Sequence, residues 1–131
     1  MTRQRPTLVP PDESPCDSLE LPHETLDVYR VLEQAYAIVA AWQGVSWSRG
    51  TIGDQLKRAL SGALLRYTEG HYANGGNKAA LWNSSHASCG EAAAAVRVLA
   101  MDGVAPAAEA ASVRELLARA MRMLARLLRP K

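Results

Sequence analysis

The sequence predicts an all-α fold: an antiparallel up-and-down bundle of four helices behind a disordered N-terminal lead. Three observations predict it. Apolar residues recur at three- and four-residue steps through four separate segments. Stretches containing glycine or proline separate those segments. No stretch alternates apolar and polar residues as a strand would, and the order has no βαβ rhythm.

At 131 residues, 48% of them hydrophobic, the chain has the material for one core and therefore for one domain. Residues 1–22 hold Pro6, Pro10, Pro11, Pro15 and Pro22 among polar residues without a period, the pattern of a flexible lead, which leaves 23–131 for the bundle. The two cysteines, Cys16 and Cys89, suggest no disulfide framework and fit a reducing compartment. The opening residues lack a signal-peptide apolar run, and nothing later approaches the roughly 18 apolar residues of a membrane span. A cytoplasmic protein without a membrane partner is expected.

The first helix is expected over 23–42, with Val28, Val31, Leu32, Ala35, Ile38, Val39 and Trp42 on one face. After the turn around Gly44 and Gly50, Thr51 can cap a second helix, and Asp54 three residues on suits its positive end. That helix, 51–69, would bury Ile52, Leu56, Ala59, Leu60, Ala63, Leu64 and Tyr67 and stop near Gly70. Asn74-Gly75-Gly76 favours positive φ and breaks the helix, giving either a tight connection or a mobile loop. The third helix, 78–101, has a heptad-like seam of Leu81, Ser85, Ser88, Ala92, Ala95 and Leu99, small enough for a neighbour to approach closely. Asp102-Gly103 ends it, and Pro106 can open a fourth helix over 106–128. This last helix would turn Val113, Leu116, Leu117, Ala120, Met121, Leu124, Leu127 and Leu128 inward. Short links between amphipathic helices give the antiparallel arrangement.

Three segments carry a resemblance. Leu26-Asp27-Val28-Tyr29 resembles an "L-x-V-Y" opening. Gln55-Leu56-Lys57-Arg58-Ala59, with Glu69-Gly70 downstream, resembles a "Q-L-x-R-A … E-G" core. Ala87-Ser88-Cys89-Gly90-Glu91 is similar to part of a "G-S-x-x-E" element. Over roughly residues 23–128 the order resembles the bacterial four-helix-bundle proteins named after intervening sequences of large-subunit ribosomal RNA genes. The chain departs from that pattern at Gly62, usually serine, and at Arg66-Tyr67-Thr68, where an asparagine is usual. It departs again at Ala79-Ala80, usually aromatic, and at Ala87, usually glycine, as a divergent member would. Members of the family are similar to the accessory variability determinant of diversity-generating retroelements, a homo-pentameric barrel that binds nucleic acid and a reverse transcriptase. The resemblance thus implies a self-assembling, non-enzymatic bundle, a pentamer, with a basic surface for RNA or DNA and with a protein partner. It marks Tyr29, Gln55, Leu56, Arg58, Ala59, Glu69, Gly70 and Glu91 as structural motif residues.

The residues themselves offer little chemistry. His86 and Cys89 stand three apart on the third helix, but a structural zinc site needs about four ligands and no second His/Cys pair lies in the bundle. Di-iron bundles use Glu-x-x-His pairs, and the one such spacing, Glu20 to His23, spans Pro22. Ser84, Ser85, His86, Ser88, Cys89 and Glu91 include the residue types of a nucleophilic triad, yet neighbours on one helix point in different directions. No catalytic residue, metal ligand or cofactor is expected. Arg58 and Glu69 fall eleven apart on one face of the second helix, and Glu91 is a candidate to pair with Arg58 in setting register.

Charge is distributed unevenly. Residues 1–48 carry seven acids against three bases, and residues 49–131 twelve bases against six acids. Arg114, Arg119, Arg122, Arg126 and Arg129, with Glu115 the only acid from residue 110 on, are candidate nucleic-acid contacts, since phosphate recognition is largely electrostatic. Such arginines are also ordinary solvated helix formers. Trp42 continues the first core face. Trp47 and Trp82 need not be buried within one protomer and so suit an interface; Trp47 could equally close the bundle end against a loop. The expected function is a homo-oligomeric helical scaffold or adaptor, with a nucleic-acid-binding accessory protein as the alternative and an enzyme as the remaining class.

Overall fold

The computed structural model of the chain describes residues 23 and 26–130, so the proline-rich lead expected over 1–22 lies outside the described residues. Four helices follow in order: α1 (Asp27–Ala40), α2 (Ile52–Tyr72), α3 (Gly75–Met101) and α4 (Ala107–Leu128). Each packs on two neighbours, in the ring α1–α2–α3–α4, which is the four-helix bundle. Among the described residues no helix is long and apolar enough to cross a membrane.

α1 starts four residues later than its periodicity suggested. His23 instead occupies a short 3₁₀ turn and packs edge-on against Tyr29 and Tyr72, with its Nδ1 3.0 Å from the Tyr72 hydroxyl. The helix also ends before Trp42, whose backbone bonds back to Val39 while the ring stays buried. The indole Nε1 donates to Glu109 Oε1 at 2.7 Å, tying the end of α1 to the start of α4.

Thr51 caps α2 as its position suggested: its hydroxyl accepts from the Asp54 N–H at 3.2 Å and donates to the Ser48 carbonyl at 2.6 Å. Asp54 in turn accepts from the Gly50 N–H at 3.1 Å, so one turn satisfies donors on both sides of the helix start.

α2 does not stop at Gly70. It runs on to Tyr72, and only Ala73 and Asn74 separate it from α3. Gly75, at φ +59°, supplies the backbone conformation that lets the chain reverse so tightly. Gly70 is helical and serves a different purpose. The Trp82 ring lies against it, donating from Nε1 to the Tyr67 carbonyl at 3.1 Å and stacking on the Tyr67 ring. Trp82 is therefore half-buried within its own chain. Trp47 is likewise half-buried, with the Lys57 ammonium 5.0 Å over its ring.

The buried positions of α3 are Ser85, Cys89, Ala92, Ala95, Val96 and Leu99. The seam is rotated from the expected one: Cys89 replaces Ser88, and Leu81 remains only half-buried. Small side chains here let α2 and α3 approach until the Ser85 hydroxyl, fully buried, donates to the Ala63 carbonyl at 2.8 Å. α3 closes in a Schellman motif, with Gly103 at φ +77°, its N–H on Ala100 and the Val104 N–H on Leu99. Pro106 then stands one residue before α4 as its N-cap. α4 buries Val113, Leu117, Ala120 and Leu124; Leu127, expected inside, lies past this last layer and is 48% exposed.

Candidate functional surfaces

The motif residues divide into three groups. Leu56, Ala59 and Gly70 are core, the last because a side chain there would collide with Trp82. Gln55, Arg58 and Glu91 come together with Arg66 and Ser88 around a shallow polar groove of about 250 Å³ between α2 and α3. Tyr29 and Glu69 belong elsewhere: Tyr29 lines a groove between α1 and α2, and Glu69 a separate one beside Tyr72 and Leu81.

The polar groove brings Arg58 near Glu91, but the two do not form the expected register-setting pair. Arg58 is largely exposed and bonds Asp54, one turn back on its own helix, at 3.1 Å. Asp54 lies one turn away on the same helix face, the spacing at which such pairs form on a helix surface. Arg66 reaches across instead, its Nη1 3.5 Å from the Ser88 hydroxyl.

On α4, Arg114, Arg119, Arg122 and Arg126 are all exposed. At about 100° per residue, Arg119, Arg122 and Arg126 lie roughly opposite the buried Val113, Leu117 and Leu124, so the row faces straight out from the bundle. Arg122 is held by Glu115 at 3.4 Å. Arg129 leaves the row: α4 ends at Leu128, and Arg129 is the C-cap with extended backbone.

Cys89 is fully buried, and burial pushes its thiol up to about 12, so it holds its proton at neutral pH. Among the described residues no three His, Cys, Asp or Glu side chains gather as a metal site would require.

One surface was missed by sequence reasoning. The α1–α2 groove, about 390 Å³, is walled by Tyr29, Tyr36 and Leu65, with Glu33 among its polar lining. Leu65, 63% exposed on the outer side of α2, was the available signal. Its leucine sits off the face that carries Leu56, Leu60 and Ala63. No protein-family model and none of the curated proteins matches the chain.

Proposed function

We propose that this chain is a non-enzymatic, cytoplasmic helical scaffold that assembles with copies of itself, as the resemblance to the intervening-sequence proteins implies. The observation carrying the reading is the outward side of α3. That helix has three charged residues in 27, Lys78, Glu91 and Arg97, against six in 22 on α4. Its exposed positions include Ala79, Ala80, Ala87, Ala94 and Met101. A helix whose solvent side carries so few charges, Glu91 and Arg97 among exposed alanines, suits a surface covered by a neighbour. Static light scattering on the full chain tests this: an assembly is expected, and a strict monomer at micromolar concentration would overturn it.

The exposed α4 arginines favour a second reading, an accessory protein that holds RNA or DNA by its phosphates. Binding to generic duplexes should then weaken steeply with salt. Arg119→Glu combined with Arg126→Glu should abolish it. Absence of binding at low salt would remove this reading without touching the first.

A further inference from the structure

We propose that the α1–α2 groove is the seat of the chain's own N-terminal lead, with Leu8-Val9-Pro10-Pro11 laid in it as a polyproline II segment and Arg5 paired with Glu33. The proposal goes beyond the self-assembly reading and stands without it.

The groove is about 10 Å long, the rise of α1 from Tyr29 to Tyr36 and of α2 from Ser61 to Thr68. Its walls are two half-buried tyrosines and the exposed Leu65. The Ser61 hydroxyl donates to the Lys57 carbonyl at 2.9 Å and the Thr68 hydroxyl to that of Leu64 at 2.8 Å, so neither has a proton to offer an occupant. An aromatic-walled groove with so few donors suits a segment whose backbone needs no partner there. Polyproline II has that property: its carbonyls stay in water and its prolines carry no N–H.

Chain length, charge and spacing identify the occupant. His23, at which the lead ends, lines the groove and packs on Tyr29, so residues 1–22 are tethered at its mouth. Pro11 stands twelve positions before His23, enough chain to span about 40 Å and so to fold back with slack. Glu33 is the one carboxylate lining the groove, no lysine or arginine lines it, and among the described residues Glu33 forms no ion pair. The bases of the lead, Arg3 and Arg5, lie close to Leu8-Val9 in sequence. Its other apolar pair, Leu19 and Leu21, flanks Glu20 and would bring a second carboxylate to Glu33. At three residues per turn and about 3.1 Å per residue, Arg5, Leu8 and Pro11 share one edge and stand about 9 Å apart. With Leu8 against Leu65, Pro11 falls at the Tyr29 end and Arg5 just past Tyr36, from where its guanidinium reaches back across that ring to Glu33.

The test follows backbone amides by NMR in the full chain. Leu8→Ser should shift those of Tyr29, Glu33, Tyr36 and Leu65 and leave that of Leu127, exposed on α4, in place. A synthetic peptide of residues 4–11 should return these amides to their parent positions in the Leu8→Ser chain, at a concentration that leaves the parent chain unchanged. The tethered lead of the parent competes with it at an effective concentration on the order of millimolar. Glu33→Arg should move the Val9 amide to its position in the free peptide, and adding Arg3→Glu and Arg5→Glu should displace it again. Circular dichroism checks that each substitution leaves the helices intact. Groove amides that ignore Leu8→Ser, or a peptide that acts equally on parent and variant, would overturn the proposal. Parent shifts that fade on dilution would overturn it too, as the mark of a lead supplied by another copy.

Discussion

Replacing Gly70 with alanine sets two opposed effects against each other, and the structure says which wins. Gly70 is helical, so the backbone alone should gain about 1 kcal/mol from alanine. The added Cβ, however, would stand 2.5 Å from Nε1 of Trp82 and closer still to its Cδ1. The ring cannot swing away freely, being bonded to the Tyr67 carbonyl, stacked on the Tyr67 ring and covered by the Lys78 ammonium at 4.9 Å. Overpacking of this kind costs typically about 1–3 kcal/mol. Displacing the indole forfeits a hydrogen bond of about 1 kcal/mol more. The net expectation is a loss of about 1–3 kcal/mol, with Tm falling by roughly 4 °C or more per kcal/mol in a domain of this size. Urea unfolding followed by far-UV circular dichroism measures it. Gly76→Ala is the control: that glycine is also in a helix, with nothing within 4 Å of an added Cβ, and should stabilise by up to about 1 kcal/mol. Combining Gly70→Ala with Trp82→Leu should remove most of the penalty. The reasoning fails if Gly70→Ala alone is as stable as the parent chain.

Three further outcomes follow from particular contacts. Thr51→Ala removes the cap of α2 and should cost about 1 kcal/mol, read from the urea midpoint, whereas Thr51→Ser should cost much less. Trp42→Phe keeps the buried ring but leaves Glu109 without its indole donor; a loss of about 1 kcal/mol or more is expected, and an unchanged midpoint would show the bond contributes nothing. Stability should also fall in alkali. Burial raises the Cys89 thiol from 9.0 to about 12, and burial followed by the Asp27 carboxylate raises the Tyr67 hydroxyl. Both groups stay protonated in the folded chain after the unfolded chain has lost their protons. Their contribution is therefore complete below about pH 9 and declines as the pH rises towards about 12. Urea midpoints across that range, compared with those of Cys89→Ala, test this; parallel curves would refute the thiol's share.

The sequence discloses what depends on local order. The faces of α1, α2 and α4 follow from spacing alone, and the Thr51 cap from a residue and its neighbour three positions on. Part of what the spacing does not show depends on residues far apart in the chain. Gly70 reads as a helix stop because glycine usually is one; its actual reason, the Trp82 ring, lies twelve residues away on another helix. Asn74-Gly75-Gly76 reads as a helix break giving a tight connection or a loop; the structure has the tight connection, with one positive φ at Gly75, where α3 already begins. Among the candidate surface residues, the outward direction of the α4 arginines was legible from their spacing. The departure of Arg129 was not, since the helix ends one residue short of it. The sequence suggests Glu91 as the partner of Arg58 across helices, whereas Asp54 on its own helix holds it.

The two-residue link between α2 and α3 also bears on how the molecule forms. Closing so short a loop costs little chain entropy, and the contacts it brings together, Ser85 with Ala63 and Trp82 with Gly70, follow at once. α1 must instead wait for an eleven-residue connection and for a partner, α4, at the far end of the chain. The α2–α3 hairpin is thus the natural folding nucleus. Destabilising substitutions at Ala63 or Ser85 should slow folding, whereas those at Leu32 should chiefly speed unfolding, a division that stopped-flow refolding would expose.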